Sequence, residues 1–184
     1  GIVILIAFFP YISAIVKKET SPRKATWLIW ATGDWIVLVG MIDKGTISGL
    51  IVAACLGATA IFLLSLRYGE AGWNTHDKIC ISLSCVAIAL WQYFGESNLG
   101  IAFSLLSLAI AAWPTYVSAW ERPQNEDANG WIIFNIASFL GVLGIAHLTF
   151  ADVAPPVAFM LIDAPMLYLL FVRPASIRPP NADH

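Results

Sequence analysis

Two carboxylates lie inside long apolar stretches of the sequence. Asp34 is in the middle of "LIWATGDWIVL", and Asp163 is in the middle of "FMLIDAPMLYL". An aspartate at the centre of a membrane helix costs about 2.5–3.5 kcal/mol on insertion scales, so it faces a protein interior or a wet cavity, finds a partner, or takes up a proton. Both residues lie at similar depth in their stretches. The sequence therefore predicts that they face one shared cavity.

Two interpretations of these aspartates remain open. In the first, they line a cavity for a small polar solute, and at least one titrates and couples solute movement to protons. In the second, each is protonated or bonded to a hydroxyl group and only holds helices together. The candidate hydroxyl partners are Thr32, Thr59 and Ser138. No Lys or Arg lies at that depth in any apolar stretch to neutralise either charge.

Other polar and aromatic side chains extend the predicted cavity wall. Asn135 follows an aromatic residue in the sixth apolar stretch, and Trp35 lies beside Asp34, although Trp35 would equally suit a position facing lipid. The predicted cavity set is Asp34, Asp163, Asn135, Thr59, Trp35 and Ser138. Most of the other tryptophans, such as Trp27 and Trp131, lie near the ends of apolar stretches. They are predicted to form an aromatic belt at the membrane surfaces.

Three prolines and one histidine are candidates for moving parts. Pro10, Pro114 and Pro165 lie inside apolar stretches, where each removes a backbone hydrogen bond and is expected to kink its helix. Such kinks would act either as hinges or as static bends. His147 lies near the end of the sixth stretch and is interpreted as an outer gate or proton relay, or else as a polar residue at headgroup level.

The composition indicates a protein of the lipid bilayer. Of the 184 residues, 59% are hydrophobic and 12% are charged, whereas soluble domains are nearer half apolar and a quarter charged. The net charge of −2 and the lack of a basic, aromatic-rich patch argue against nucleic-acid binding. The sequence has no hydrolytic triad, metal-ligand cluster or phosphate-binding loop. We therefore expect no enzymatic activity, no catalytic residue, no metal and no cofactor.

Seven apolar stretches approach or reach the roughly 20 residues that a membrane helix needs. They are 1–16, 27–42, 46–66, 78–94, 97–120, 130–150 and 154–172. If the chain alternates through seven spans, nine of its ten Lys and Arg residues fall on one side and only Lys44 on the other. Positive loops stay in the cytoplasm. This predicts a multi-pass protein of the plasma (inner) membrane, with its N-terminus outside and its C-terminus in the cytoplasm.

The sequence contains an internal repeat. "FFPYISAIVKKETSPRKATWLIWA" and "AWPTYVSAWERPQNEDANGWIIFN" share a plan, with 17 positions from Pro10 to Trp27 and from Pro114 to Trp131. The offset is 104 residues at both anchors, which matches spans one to three with spans five to seven. Parallel repeats of this kind commonly place a solute site between them. The alternative is a chance recurrence of Trp and Pro.

The repeat divides the chain into two triple-helix units and a linker. The predicted segments are a first repeat at 1–66, a cytoplasmic loop and linker helix at 67–96, a second repeat at 97–173, and a cytoplasmic tail at 174–184. The predicted fold class is an all-α membrane protein of seven transmembrane helices. Its two parallel three-helix repeats are joined by one linker helix.

This plan resembles the SWEET and PQ-loop transporter superfamily. The resemblance rests on "PYISAIVKKETSPRKATWLIW" and, for a group of bacterial seven-helix members, on "LRYGEAGWNTHD". The namesake dipeptide is absent, since Tyr11 follows Pro10 and Thr115 follows Pro114. The resemblance implies transport of a small polar solute, sugar-like or amino-acid-like, by rocking of two bundles. It also implies that Asp163, with Gly57 or Thr59, lies at a cavity position.

A non-transporting role is the main alternative. In that interpretation the chain is an accessory subunit of a larger membrane complex, and its polar residues form a static core. A homo-oligomer is also compatible with the sequence. A retinal-type photoreceptor is disfavoured because the seventh apolar stretch has no Lys to form a Schiff base.

Overall fold

Seven α-helices account for most of the chain in the computed structural model, which describes residues 1–19, 22–69, 75–121, 123, 126 and 128–173, without the side chains of 76 and 118. They are α1 (Ile2–Val16), α2 (Lys24–Asp43), α3 (Gly49–Tyr68), α4 (Thr75–Phe94), α5 (Ser97–Glu121), α6 (Ala128–Leu143) and α7 (Phe150–Leu167). A π-helical turn, Tyr168–Val172, continues α7. The predictions of an all-α chain and of seven helices are confirmed.

Five of these helices are long and apolar enough to cross a bilayer, namely α2, α3, α4, α5 and α7 with its π-helical turn. The helices α1 and α6 are apolar but shorter, at 15 and 16 residues. Large apolar side chains such as Phe9 and Leu63 lie exposed on the outer surface, as suits contact with lipid. These features indicate an all-α membrane protein. Passage of all seven helices through the membrane stays a prediction.

Six of the helices pack in a closed order. Helix α3 packs against both α1 and α2, and α7 packs against both α5 and α6. The two groups of three meet where α1 contacts α6 and where α2 contacts α5. The order around the molecule is therefore α1, α3, α2, α5, α7, α6. Helix α4 lies outside this ring, against α5 and, less extensively, α2.

A glycine allows α1 and α3 to approach closely. A Cβ atom added to Gly57 would lie 2.2 Å from ring carbons of Phe8. No real side chain tolerates such a contact, so the missing Cβ is what admits the aromatic ring. The ring of Phe8 is buried in the cluster that joins α1, α2 and α3. Gly57 therefore fixes the position of an aromatic side chain at the centre of the ring of helices.

The sixth and seventh helices differ most from their predicted limits. The prediction of one apolar stretch over 130–150 is corrected to a helix that ends at Leu143, followed by a loop over 144–149. Helix α7 begins at Phe150 rather than 154, because the Thr149 hydroxyl accepts a 3.2 Å hydrogen bond from the backbone N–H of Asp152. Such a cap satisfies a donor that the helix leaves unpaired.

The three predicted kink residues all lie inside helices. Pro10 is in α1, Pro114 in α5 and Pro165 in α7. The π-helical turn begins three residues after Pro165, whereas the hydrogen bond that this proline removes belongs to the preceding turn. A hinge function for these prolines stays a prediction. The predicted tail, 174–184, and residues 70–74 of the predicted linker segment lie outside the described residues.

Candidate functional site

A cavity of about 410 Å³ lies inside the ring of helices. All six ring helices contribute to its wall, so it belongs to neither group of three alone. Its size falls within the range of about 300–1,000 Å³ that is typical of small-ligand sites. Seven aromatic side chains make up much of the wall: Phe8, Tyr11, Trp27, Trp30, Trp131, Phe134 and Phe159.

The aromatic rings pack against one another from α2 through α1 to α6. The centroids of Trp27 and Trp30 are 5.1 Å apart with planes at 74°, and those of Phe8 and Phe134 are 5.3 Å apart at 76°. Trp131 adds a third edge-to-face contact, 5.9 Å from Phe134. Such T-shaped pairs are favoured by the ring quadrupoles. The result is a continuous aromatic surface shared by the two halves of the chain.

The positions of Trp27 and Trp131 correct the prediction that they belong to an aromatic belt. Only 7% of Trp27 and 8% of Trp131 is exposed, and both side chains line the cavity. Trp113 and Trp120, by contrast, are more than half exposed on the outer surface. A position near the start of a helix therefore does not by itself place a tryptophan at the lipid surface.

Asp34 is the most deeply buried carboxylate of the cavity wall. It lies on α2, lines the cavity, and is only 4% exposed. Within the described part of the chain, no hydrogen bond or ion pair reaches its carboxyl group. A buried carboxylate without such a partner is costly, so Asp34 is poised for a proton or for a ligand that enters the cavity.

Asp163 lines the same cavity from α7, but it has a partner within the protein. The Ser138 hydroxyl on α6 donates a 2.6 Å hydrogen bond to its Oδ2 atom. The amide of Asn135, also on α6, donates to the Asp163 backbone carbonyl at 3.1 Å and to the Trp131 carbonyl at 2.9 Å. Neither Asn135 nor Ser138 is part of the cavity wall. They hold Asp163 in place from behind and join α6 to α7.

Trp35 and Thr59, also predicted for the cavity, lie away from it. The Trp35 indole N–H donates a 3.0 Å hydrogen bond to the Thr59 hydroxyl, and Trp35 is 44% exposed. Successive residues of a helix point about 100° apart, so burial of Asp34 in the cavity turns its neighbour outward. The alternative for Trp35, a position facing lipid, agrees with this placement.

The cavity reaches the end of the molecule at which α2 and α6 begin. Arg23 and Glu126 belong to its wall there. The Arg23 guanidinium forms an ion pair with Asp77, with 3.2 Å between Nη2 and Oδ2. The Trp131 indole N–H donates to Glu126 at 3.4 Å. Charged side chains therefore surround this mouth of the cavity.

Toward the opposite end, a buried apolar cluster of α2, α3, α5 and α7, with Val37, Ile51 and Ile101 among its members, fills the space, and polar contacts join the helix ends beyond it. The Thr46 hydroxyl, in the turn between α2 and α3, donates to the Asp152 carboxylate at the start of α7. The Ser97 hydroxyl at the start of α5 donates to Asp43 at the end of α2. An ion pair of 2.7 Å joins Lys44 to Glu96. The first two contacts tie the two groups of three helices together.

The ion pair at this end affects the Glu96 carboxyl group, which lies outside the apolar helices. The hydrogen bond from Lys44, followed by that from the backbone N–H of Asn98, lowers the pKa of Glu96 below its usual value. His147, the predicted outer gate, is exposed in the loop between α6 and α7. It lines neither the central cavity nor a smaller one of about 230 Å³ at the same end. Its role as a gate stays a prediction.

Residues 104 positions apart line the cavity in pairs. These pairs are Ile4 with Leu108, Tyr11 with Thr115, Pro22 with Glu126, Thr26 with Gly130, Trp27 with Trp131, Trp30 with Phe134, and Ala58 with Ile162. The offset of 104 residues was visible in the sequence. Aromatic residues that recur at this offset, such as Trp27 and Trp131, could have been predicted from it to line the cavity. The pair that corresponds to Ser138 and Asp163 is Asp34 and Thr59, with the carboxylate and the hydroxyl exchanged between helices.

No protein-family model, curated protein or solved structure matches the chain. Among the residues that the structure describes, no group of three or more His, Cys, Asp or Glu side chains is arranged to hold a metal ion. A proposal of function therefore rests on the central cavity and on the carboxylates in its wall.

Proposed function

We propose that this chain is a SWEET-like membrane transporter that moves a small polar solute by alternating access around its central cavity. One observation carries the proposal: Asp34 and Asp163, on helices from different halves of the chain, line the same cavity of about 410 Å³. Carboxylates inside apolar helices are costly, and in membrane proteins they typically mark solute or ion pathways.

The packing of the helices supports a 3+1+3 plan. Two parallel repeats related by an axis along the membrane normal should make two equivalent contacts with each other. The contacts of α1 with α6 and of α2 with α5 correspond to one another under the 104-residue offset. Helix α4 lies outside the ring, as expected of a linker that only returns the chain to the starting side. Transporters of repeated architecture commonly bind solute between their repeats.

The two ends of the cavity support alternating access. The end that Arg23 and Glu126 line is reached by the cavity, and the predicted topology makes it the cytoplasmic end. Toward the other end, the apolar cluster of α2, α3, α5 and α7 and the Thr46–Asp152 and Ser97–Asp43 contacts join the two groups of helices. In this proposal the structure is the inward-facing state. If the two groups of three helices rocked relative to each other about the prolines, these contacts would break and the outer end would open.

The two aspartates have different roles in this mechanism. Asp34, without a partner in the described part of the chain, contacts the solute or carries the coupled proton. Asp163 is oriented by Ser138 and contributes a fixed acceptor on the α7 side of the cavity. The solute is of sugar-like or amino-acid-like size, and the protein lies in the plasma (inner) membrane with its N-terminus outside.

The test is uptake by purified protein in liposomes. A panel of small polar solutes is compared with and without a pH gradient for wild type, Asp34→Asn and Asp163→Asn, with Glu121→Gln as the matched control at an exposed carboxylate outside the cavity. We expect Asp34→Asn to reduce uptake of the accepted solute at least tenfold and Glu121→Gln to leave it unchanged.

Two other outcomes would change the proposal. Uptake that needs no pH gradient and survives both aspartate substitutions would exclude proton coupling. Absence of uptake of every solute by folded wild-type protein would exclude transport in favour of an accessory subunit of a larger membrane complex.

A further inference from the structure

We infer that the cavity binds an organic cation with an apolar head, a quaternary or alkylated ammonium group, which lies on the aromatic wall beside Asp34. This inference rests on the proposed function, because it names the class of solute for the same cavity. Its binding test does not depend on transport, so the two ideas can fail separately.

The charges of the wall favour a cation. Three carboxylates line the cavity, Asp34, Asp163 and Glu126, whereas the only Lys or Arg in its wall among the described residues is Arg23. The Arg23 side chain lies at the mouth and pairs with Asp77. Deeper in the cavity, Asp34 is 96% buried and unpartnered within the described part of the chain. An anionic solute would be repelled there, whereas a cation would compensate the Asp34 carboxylate in place of the proton that it otherwise takes up.

The aromatic side chains are placed to share the cation with Asp34. Trp27, Trp30 and Asp34 follow one another at helical spacing on α2, so the indole rings and the carboxylate lie on one face. Phe8 and Phe134 continue this surface on α1 and α6. A cation within about 6 Å of an aromatic centroid is attracted by the ring quadrupole, and more strongly where water is excluded.

The type of cation follows from the small number of hydrogen-bond acceptors. A primary ammonium has three N–H donors, and a buried site must satisfy each of them. Beside the rings, the deep wall offers the Asp34 carboxylate and the Asp163 Oδ1 atom, because the Asp163 Oδ2 atom already accepts from Ser138. A trimethylammonium group needs no hydrogen bond and presents methyl groups to the rings. The cavity of about 410 Å³ has room for such a group and a short polar tail.

The experiment uses two probes of equal shape and different charge. Choline and 3,3-dimethylbutan-1-ol differ only in whether nitrogen or carbon carries the three methyl groups. Binding of each to purified wild-type protein in detergent is measured by calorimetry and compared with binding to Asp34→Asn, Asp34→Glu and Glu121→Gln. We expect wild type to bind choline at least tenfold more tightly than the neutral alcohol. Asp34→Asn should lose this preference, whereas Asp34→Glu and Glu121→Gln should keep it.

A second variant covers the case in which Asp34→Asn does not fold. Trp30→Phe retains a ring of weaker quadrupole but loses apolar contact shared by both probes, so it should weaken choline binding several-fold and weaken binding of the neutral alcohol less. Equal binding of the two probes by wild type, or no binding of choline, would overturn the inference. Uptake of a neutral solute without choline binding would overturn this inference and leave transport standing. Choline binding without uptake of any solute would support this inference and overturn the proposal of transport.

Discussion

The Ser138 hydroxyl donates a 2.6 Å hydrogen bond to the Asp163 carboxylate, and the residues 104 positions earlier, Asp34 and Thr59, reverse this chemistry. In the second half of the chain, the carboxylate on α7 is held by the hydroxyl on α6. In the first half, the carboxylate is on α2 and the hydroxyl is on α3, where Thr59 accepts from Trp35 instead. The two aspartates of the cavity are therefore not equivalent: both line it, but Asp163 accepts a hydrogen bond from Ser138, whereas Asp34 has no such partner in the described part of the chain.

The Ser138–Asp163 bond should contribute to stability. Ser138 is fully buried, so Ser138→Ala removes the donor that holds Asp163 and should lower the free energy of unfolding by about 0.5–2 kcal/mol. The measurement is equilibrium unfolding in mixed detergent micelles. Ser82→Ala is the control, because Ser82 is exposed on α4 and bonds only within that helix. An equal loss of stability in both variants would contradict this role for the bond.

A methyl group at Gly57 should disturb the aromatic wall. Alanine normally stabilises a helix relative to glycine, but its Cβ here would lie 2.2 Å from the Phe8 ring. We expect Gly57→Ala to lower the free energy of unfolding by about 1–3 kcal/mol as α1 and α3 separate or Phe8 moves toward the cavity. Gly49→Ala is the control, since a Cβ there would be 3.6 Å from its nearest neighbour. Full stability of Gly57→Ala would show that Phe8 moves freely.

Removal of the Thr46–Asp152 contact should favour opening of the outer end. Thr46→Val keeps the shape of the side chain and removes its donor. The net worth of such a bond is about 0.5–1.5 kcal/mol, which predicts roughly 2–10-fold faster labelling of a cysteine introduced at Ala58 in the cavity wall. The label is a membrane-impermeant maleimide added to the outer face, in a background without the native cysteines.

The control for this labelling experiment is Thr32→Val, the same substitution in the middle of α2 and away from the closed end. Its labelling rate should equal that of the parent protein. Faster labelling in both variants would mean that the loss of a threonine loosens α2 generally, and the Thr46 contact would then have no special role in closing the outer end.

The ion pair between Lys44 and Glu96 should make stability depend on acid pH. Because the pKa of Glu96 is lowered in the folded protein, its contribution is fully present above the ordinary pKa of a glutamate. It is lost as the pH falls toward the lowered folded value. We expect Glu96→Gln to flatten the acid side of a plot of melting temperature against pH. Identical profiles for wild type and variant would contradict a stabilising pair, and added salt should weaken the effect because the pair is exposed.

The sequence predicted the helices well because an apolar stretch of sufficient length has few other options in a membrane. The main error of the helix prediction was at "GIAHLT". Ile145, Ala146 and Leu148 are apolar there, although the backbone forms a loop. Hydropathy cannot detect such a break. Thr149 followed three residues later by Asp152 is a helix-start pattern that would have marked the beginning of α7.

The cavity was predicted only in part. Depth in an apolar stretch identified Asp34 and Asp163, since a charge must be accommodated wherever it occurs. It did not identify Trp27 or Trp131, because a tryptophan near a helix end suits lipid and protein equally well. It also left open whether Trp35 lines the cavity or faces lipid, because its direction depends on which face of α2 turns inward. That face is set by contacts with α3 and α5, which the sequence of α2 alone does not contain.

Asp34 and Ser138 occupy equivalent positions in the two halves of the chain, but one is a carboxylate and the other a hydroxyl. This difference makes the two sides of the cavity unequal. Two identical halves would offer a bound molecule the same surroundings after a half-turn about the membrane normal, so it would have two equal poses. With a carboxylate in the cavity wall on α2 and a bonded hydroxyl behind the wall on α6, those surroundings differ. A molecule with one charged end would then bind in a single orientation, with that end toward α2, whichever end of the cavity it entered.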